Sequence, residues 1–219
     1  MTFSIVARCE RTGHIGVGAI TALQAVGKLA CHAIPNVGAI ASQALLNPYL
    51  AYDGLRLLEQ GISAEDALQR VLAGDPCTGN RQVGVVDNLG RTAAWTGADT
   101  IPWSGQRQGK YYSAQGNRLA GAQVLDRVVQ SMDSTEHLDL AERLTLALIA
   151  GEEVGGDTKG ERSVNVLVFG EEEYPLCDIR IDDHDDPIQE LRRLFKLYQQ
   201  EILPNVMKMP KRAEIPRPY

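Results

Sequence analysis

Aromatic residues are scarce in this sequence: Phe, Tyr and Trp make up 5% of its 219 residues. Its core must therefore be built from aliphatic and small side chains. Long apolar runs are missing as well. No stretch reaches the ~18 residues that a membrane-spanning helix needs, so no membrane partner is expected. The first residues alternate instead of forming a basic n-region and an apolar h-region, which argues against a secretory signal. There is no excess of basic charge. Lys and Arg number 22 against 28 Asp and Glu, a net charge of −6, and no basic run offsets it, so nucleic acid is not the expected partner. The four cysteines (Cys9, Cys31, Cys77 and Cys177) lack the paired spacing of a zinc site or a disulfide framework. They read as free thiols of a reducing compartment, and with no N-x-S/T acceptor in the chain a cytoplasmic location is expected. Two nucleotide-binding fingerprints are missing: Gly16 and Gly18 are followed by Thr21, and Gly27-Lys28 by Leu29.

What is present is a regular succession of elements. "TFSIVAR" alternates in strand fashion, with Phe3, Ile5 and Ala7 on one face and Ser4 and Val6 on the other. A Thr-Gly turn leads into a second, Gly-rich strand, and the pair reads as a hairpin. "HAIPNVGAIASQA" adds a strand of small side chains after a Pro-Asn break, suited to a sheet covered on both faces. "PYLAYDGLRLLEQG" and "SAEDALQRVLAG" read as helices, the second with Ser63 and Asp66 in a capping pattern. Strand-like runs follow at "RQVGVVDNLG", "RTAAWTG" and "KYYSAQGNRLAG", the first two joined by the Asp87–Gly90 turn. Then come two amphipathic helices, the strands "RSVNVLVFG" and "CDIRIDD", and a last helix opened by Asp186-Pro187. Prolines at 204, 210, 216 and 218 mark the remainder as a tail, either an extended surface segment or disordered. Residues 1–203 show no internal linker and no repeat, so a single domain followed by a tail over 204–219 is expected. Strands separated by pairs of helices, without strict strand–helix alternation, point to two sheets face to face with helices outside.

Three stretches carry chemistry. Thr2 stands directly behind the initiator Met. If Met1 is removed, one residue holds both a free amine, with a pKa near ~8, and a hydroxyl, and the pair can serve as base and nucleophile. Otherwise Thr2 is a β-prone residue at a strand start. In "SAQGNRLAG", Gly116 lies between Gln115 and Asn117 at an expected strand-to-helix corner. Backbone N–H groups there could form an oxyanion hole, or the stretch is an ordinary Gly-Asn turn. In "EEVGGDTKGERS", Asp157 and Ser163 could orient a neighbouring Thr amine, or the glycines could simply end a helix. The four histidines show no partner Ser or Cys in motif spacing. The run "DDHDDP" is better explained by helix capping and surface charge than by a metal, because contiguous residues cannot all face one ion. No metal and no cofactor are expected.

In order and spacing, "TFSIVAR", "NVGAIASQALLNP", "GLRLLEQGISAEDAL", "RQVGVVDNLGRTAAWTG", "AQGNRLAG", "AGEEVGGDTKGERS" and "IDDHDDPIQELRRL" resemble the DUF1028 family over most of residues 2–198. The resemblance implies the N-terminal nucleophile (Ntn) hydrolase superfamily and its fold, an α+β four-layer αββα sandwich of two mainly antiparallel sheets. It matches Thr2 to the family's Thr at the first strand, Gln115, Gly116 and Asn117 to its amide-flanked glycine, and Asp157 and Ser163 to its Gly-Gly-Asp and following Ser. By analogy with the proteasome branch, Asp157 and Ser163 would support Thr2. Where relatives often carry a Ser-Lys pair, this chain has Thr21-Ala22, which leaves Lys28 as a possible substitute. The implied activity is hydrolysis of a small amide by Thr2. The alternatives are a catalytically silent Ntn-fold binding protein or a structural subunit. The resemblance also implies assembly of identical chains.

Overall fold

The computed structural model describes residues 2–156 and 159–216. A six-stranded antiparallel sheet contains β1 (Thr2–Arg8), β2 (Ile15–Thr21), β7 (Gly105–Gly109), β8 (Tyr112–Asn117), β9 (Ser163–Phe169) and β10 (Pro175–Ile181). Its strand order is β10-β9-β2-β1-β8-β7, which makes the N-terminal strand central. A four-stranded antiparallel sheet, β3-β4-β5-β6, contains β3 (Cys31–Ile34), β4 (Gly38–Ala44), β5 (Arg81–Asp87) and β6 (Thr92–Thr96). The sheets stack face to face. Helices α2 (Pro48–Glu59) and α3 (Ala64–Ala73) cover the smaller sheet, and α4 (Gln123–Ser134), α5 (Leu140–Glu152) and α6 (Pro187–Leu197) cover the larger one. A short helix, α1 (Val26–Ala30), bridges the sheets beside β3. This is a four-layer αββα sandwich.

Period-two alternation explains the layers. On β1, Phe3, Ile5 and Ala7 point toward α4 and α5 and join a core with Leu125, Leu144, Leu148 and Val166. Val6 points the other way and packs with Val17, Ala19, Ala39, Ala41 and Val86 between the sheets. A third core lies under α2 and α3, built from Ile40, Val83, Val85, Leu55 and Leu68. Each fully buried Leu or Ile contributes about 1.5–3 kcal/mol of burial, and these clusters, not the few aromatics, hold the layers together.

The helix starts follow their capping residues. Ser63 Oγ accepts the Asp66 N–H at 3.1 Å, and Asp186 Oδ1 accepts the Gln189 N–H at 3.0 Å. Two strands differ from the sequence reading. β3 is a short edge strand cut off from β4 by the Pro-Asn turn, and β7 ("GQRQG") has almost no β-prone residues. Pairing with β8 holds β7 in place, so tertiary context overrides its propensity. The C-terminal residues are not simply extended. After α6 a π-helical turn leads into α7 (Leu203–Val206), Val206 is buried, and the Arg212 N–H reaches Glu172 Oε2 at 2.9 Å. Among the described residues, no helix is long and apolar enough to cross a membrane.

Candidate active site

Thr2 opens the central strand and lies in a row that crosses four strands. It pairs with Asn117 of β8 on one side and Thr21 of β2 on the other, and Thr21 pairs in turn with Ser163 of β9. Residues in one such row present their side chains to the same face of the sheet. Here that face looks toward the smaller sheet. The Thr2 hydroxyl donates to the Thr21 hydroxyl at 3.1 Å, and the Leu23 N–H also reaches the Thr21 oxygen, at 3.4 Å.

Above this row the space between the sheets is polar. Gln43 of β4 alternates with Ala39 and Ala41, and Gln82 of β5 with Gly84 and Val86, so both amides face inward. Gln43 is 1% exposed and Gln82 fully buried. Gln43 Nε2 reaches the Thr2 carbonyl at 3.2 Å, Gln82 Oε1 at 2.8 Å and the Gln115 carbonyl at 3.3 Å. Gln82 Nε2 donates to the Gly116 carbonyl at 2.8 Å, the Gly105 carbonyl at 3.1 Å and Thr96 Oγ1 at 3.0 Å. Asn117 Nδ2 donates to Gln82 Oε1 at 2.9 Å, with a longer contact of 3.5 Å to the Thr2 carbonyl. The two sheets are thus cross-linked around Thr2 by neutral amides. In this network Gln43 Oε1 is buried and has no hydrogen-bond partner. A buried acceptor left unmade typically costs ~1–3 kcal/mol.

The residues expected from the sequence divide into groups. Thr2 and Asn117 are together. Gln115 is two pairs further along, opposite Ser4, and bound elsewhere: its Nε2 donates to Ser4 Oγ at 2.7 Å, and its Oε1 accepts from Ser113 Oγ at 3.1 Å. Gly116 is not at a corner but inside β8, paired with Phe3 and Gly105. The corner comes later, where Arg118 takes φ 55°. The glycine is required because a Cβ would meet Leu119 Cδ1 at 2.5 Å and Phe3 Cβ at 2.9 Å. Ser163 lies two strands from Thr2, a separation of about 10 Å. Its hydroxyl donates to the Leu23 carbonyl at 2.6 Å and accepts the Val26 N–H at 3.1 Å, which fastens the 22–26 connection to β9. Asp157 lies outside the described residues. Lys28 is exposed and lines a cleft of about 380 Å³ with His32, Tyr52 and Asn165. Among the described residues, no Lys, Arg or His side chain bonds Thr2.

The sequence reading missed Gln43 and Gln82, and it named Thr21 without giving it a role beside Thr2. A usable signal was present: a Gln at alternate spacing with Ala or Gly, in a strand covered on both faces, has to point into the core.

Cys31 and His32 do not form a dyad. Successive residues of β3 face opposite sides, burial pushes the Cys31 thiol up to about 12, and His32 packs edge-on against Tyr52 at 4.6 Å. The acidic run after β10 is engaged locally. Asp182 pairs with Arg180 and Asp183 with Arg162, His184 Nδ1 accepts the Asp186 N–H, and Asp186 caps α6. Among the described residues, no three His, Cys, Asp or Glu side chains converge as a metal site would require.

The model of DUF1028, a family of unknown function, matches residues 2–191. The crystal structure of a DUF1028 protein from Silicibacter pomeroyi shares 30% of its sequence with this chain. It superposes with a TM-score of 0.90 over 99% of this chain and 94% of that one. The structure of Anbu, the ancestral β-subunit, from Yersinia bercovieri is 11% identical, with a TM-score of 0.42 over 95% of this chain and 98% of that one. Among curated proteins, none matches. With the family model spanning nearly every residue of the sandwich, this chain belongs to the DUF1028 family.

Proposed function

We propose that this protein is an N-terminal nucleophile amidohydrolase acting on a small amide, with Thr2 as nucleophile after removal of Met1. One observation carries the reading. The Thr2 hydroxyl sits at the end of the central strand, bonded to Thr21, while inter-sheet amides hold the Thr2 carbonyl. A nucleophile on a central strand is more precisely positioned than one on a loop.

The freed amine would take the hydroxyl proton, and the oxygen would attack the amide carbon. The leaving amine would depart with a proton, and water would then hydrolyse the acyl-enzyme. Asn117, beside Thr2, is the amide best placed to face the developing oxyanion. Ser163 would act at a distance, by fixing the connection that follows Thr21. The surroundings of Thr2 are amides and hydroxyls, which suits a neutral substrate. As proposed, the reaction uses no metal and no cofactor.

The test begins at the N-terminus. Intact mass should show loss of one Met, and periodate should cleave the resulting amino alcohol. A screen of small amides, ureides and acyl amino acids then supplies a substrate. Thr2→Ala should abolish turnover in a folded protein, and Thr2→Ser should keep part of it. Full turnover by protein that retains Met1 refutes the mechanism. One observation favours a second reading, a silent Ntn-fold protein: no cation bonds Thr2 among the described residues. In that case free Thr2 would be found with no hydrolysis across the screen.

A further inference from the structure

We propose that Gln43 is a positioning residue for the Thr2 amine: its side-chain oxygen accepts a hydrogen bond from the amine that Met1 removal creates. This rests on the reading of Thr2 as the terminal nucleophile and names the group that holds its base.

The orientation of the Gln43 amide is fixed by its surroundings. Its nitrogen faces three acceptors: the Thr2 carbonyl, Gln82 Oε1 and the Gln115 carbonyl. Rotating the amide by half a turn would set an oxygen against three oxygens and leave every bond unmade. The oxygen must therefore point away from them, and there it is buried without a donor. Every other hydrogen bond described for the Gln82 and Asn117 amides is made within the network, so this acceptor stands out.

The missing donor follows from strand geometry. The N–H and C=O of one strand residue leave the same edge of the strand, which is how an antiparallel residue exchanges two bonds with its partner. A carboxamide that already donates to the Thr2 carbonyl can answer the nitrogen of the same residue with its oxygen. An amide nitrogen carries one hydrogen. Cleavage after Met1 turns it into an amine with two, or an ammonium with three, and so adds the donors that the Gln43 oxygen lacks. Holding one N–H on Gln43 directs the amine lone pair toward the Thr2 hydroxyl, whose oxygen is anchored on Thr21. An acceptor on the amine also favours its charged form.

The test uses the full chain and needs no substrate. Mass and periodate cleavage first establish whether Thr2 is free. The pKa of the Thr2 amine is then read from the pH dependence of its acylation by an N-hydroxysuccinimide ester, followed by mass on the N-terminal peptide. Gln43→Met keeps the length but removes the acceptor and should lower the amine pKa by about one unit, a tenfold change in the free-amine ratio. Gln43→Glu should raise it. Gln106→Met, on β7 with its amide bonded to Thr96 and the Ala94 carbonyl of β6, should leave it unchanged, so a merely structural loss would not reproduce the pattern. If Gln43→Met does not fold, an unchanged pKa in Gln43→Glu overturns the proposal. Free Thr2 with the same pKa in wild type and Gln43→Met overturns it as well and leaves the functional reading standing. Retention of Met1 overturns both.

Discussion

Gly84 shows how tightly the inter-sheet layer constrains single residues. A Cβ at this position would lie 2.1 Å from Gln115 Oε1 and 2.4 Å from its Cδ. The Gln115 amide cannot swing away without giving up Ser4 and Ser113. Gly84→Ala should therefore destabilise the protein by about 1–3 kcal/mol, the usual range for overpacking, seen as a lower urea midpoint. Thr2→Ala removes one half-buried hydroxyl at a strand end and should change the midpoint by much less. The cysteines give a second residue-scale prediction. Burial pushes the Cys31 and Cys177 thiols up to about 12, and Cys9 is buried at 1% exposure. Cys77 alone is partly exposed. A thiol-disulfide reagent at pH 8 should modify Cys77 quickly in the native protein and the other three only on unfolding. Rapid reaction of two or more thiols would contradict the packing around β3 and β10.

At the scale of elements, Asp75 ties three pieces together behind the smaller sheet. It accepts from Asn47, the N-cap of α2, at 2.7 Å, from the Cys77 N–H at 2.7 Å, and from Arg81 at the start of β5 at 3.1 Å. Arg81 also donates to the Leu45 carbonyl, beyond the end of β4. The side chains of Asp75 and Arg81 are 2% and 10% exposed. Asp75→Ala should therefore cost about 3–5 kcal/mol, because it leaves a nearly buried guanidinium without its partner. The cap of α3 is a milder case. Ser63→Ala removes the acceptor for the Asp66 N–H and should cost about 1 kcal/mol. Equal losses in the two variants would mean that the Asp75 cluster is not buried as described.

For the molecule as a whole, the buried His32 and the half-buried His14 set an acid limit. Burial lowers the pKa of both His14 and His32 in the folded state. The unfolded chain then binds protons more readily than the folded one. The stability these residues contribute is complete above their unfolded value of about 6.5 and falls as pH drops below it toward the depressed folded values. The urea midpoint should thus be flat between pH 7 and 8 and decline between pH 6.5 and 5. Replacing both histidines with Gln should flatten that decline. Asp75, whose pKa is lowered because bonds from Asn47, the Cys77 N–H and Arg81 outweigh burial, adds a further loss only below about pH 4.

By itself, the sequence determined the layers. Period-two alternation in "TFSIVAR" and "RSVNVLVFG", helical periodicity with Ser63 and Asp186 at the starts, and the Asp87–Gly90 turn are local signals, set by steric fit and capping within a few residues. They fixed most elements and made the two-sheet architecture readable. The strand β7 was not readable, because its residues have no preference for extension apart from their pairing with β8. The site was legible only in part. Thr2 could be picked out by its position behind Met1, and Asn117 by its stretch. That Asn117 faces Thr2 while Ser163 lies two strands away depends on strand order and register, which link residues far apart in the chain. Gln43 and Gln82 acquired their place beside Thr2 only when one sheet was laid on the other. A buried amide must find partners where the opposite backbone happens to pass, and no local pattern records where that is.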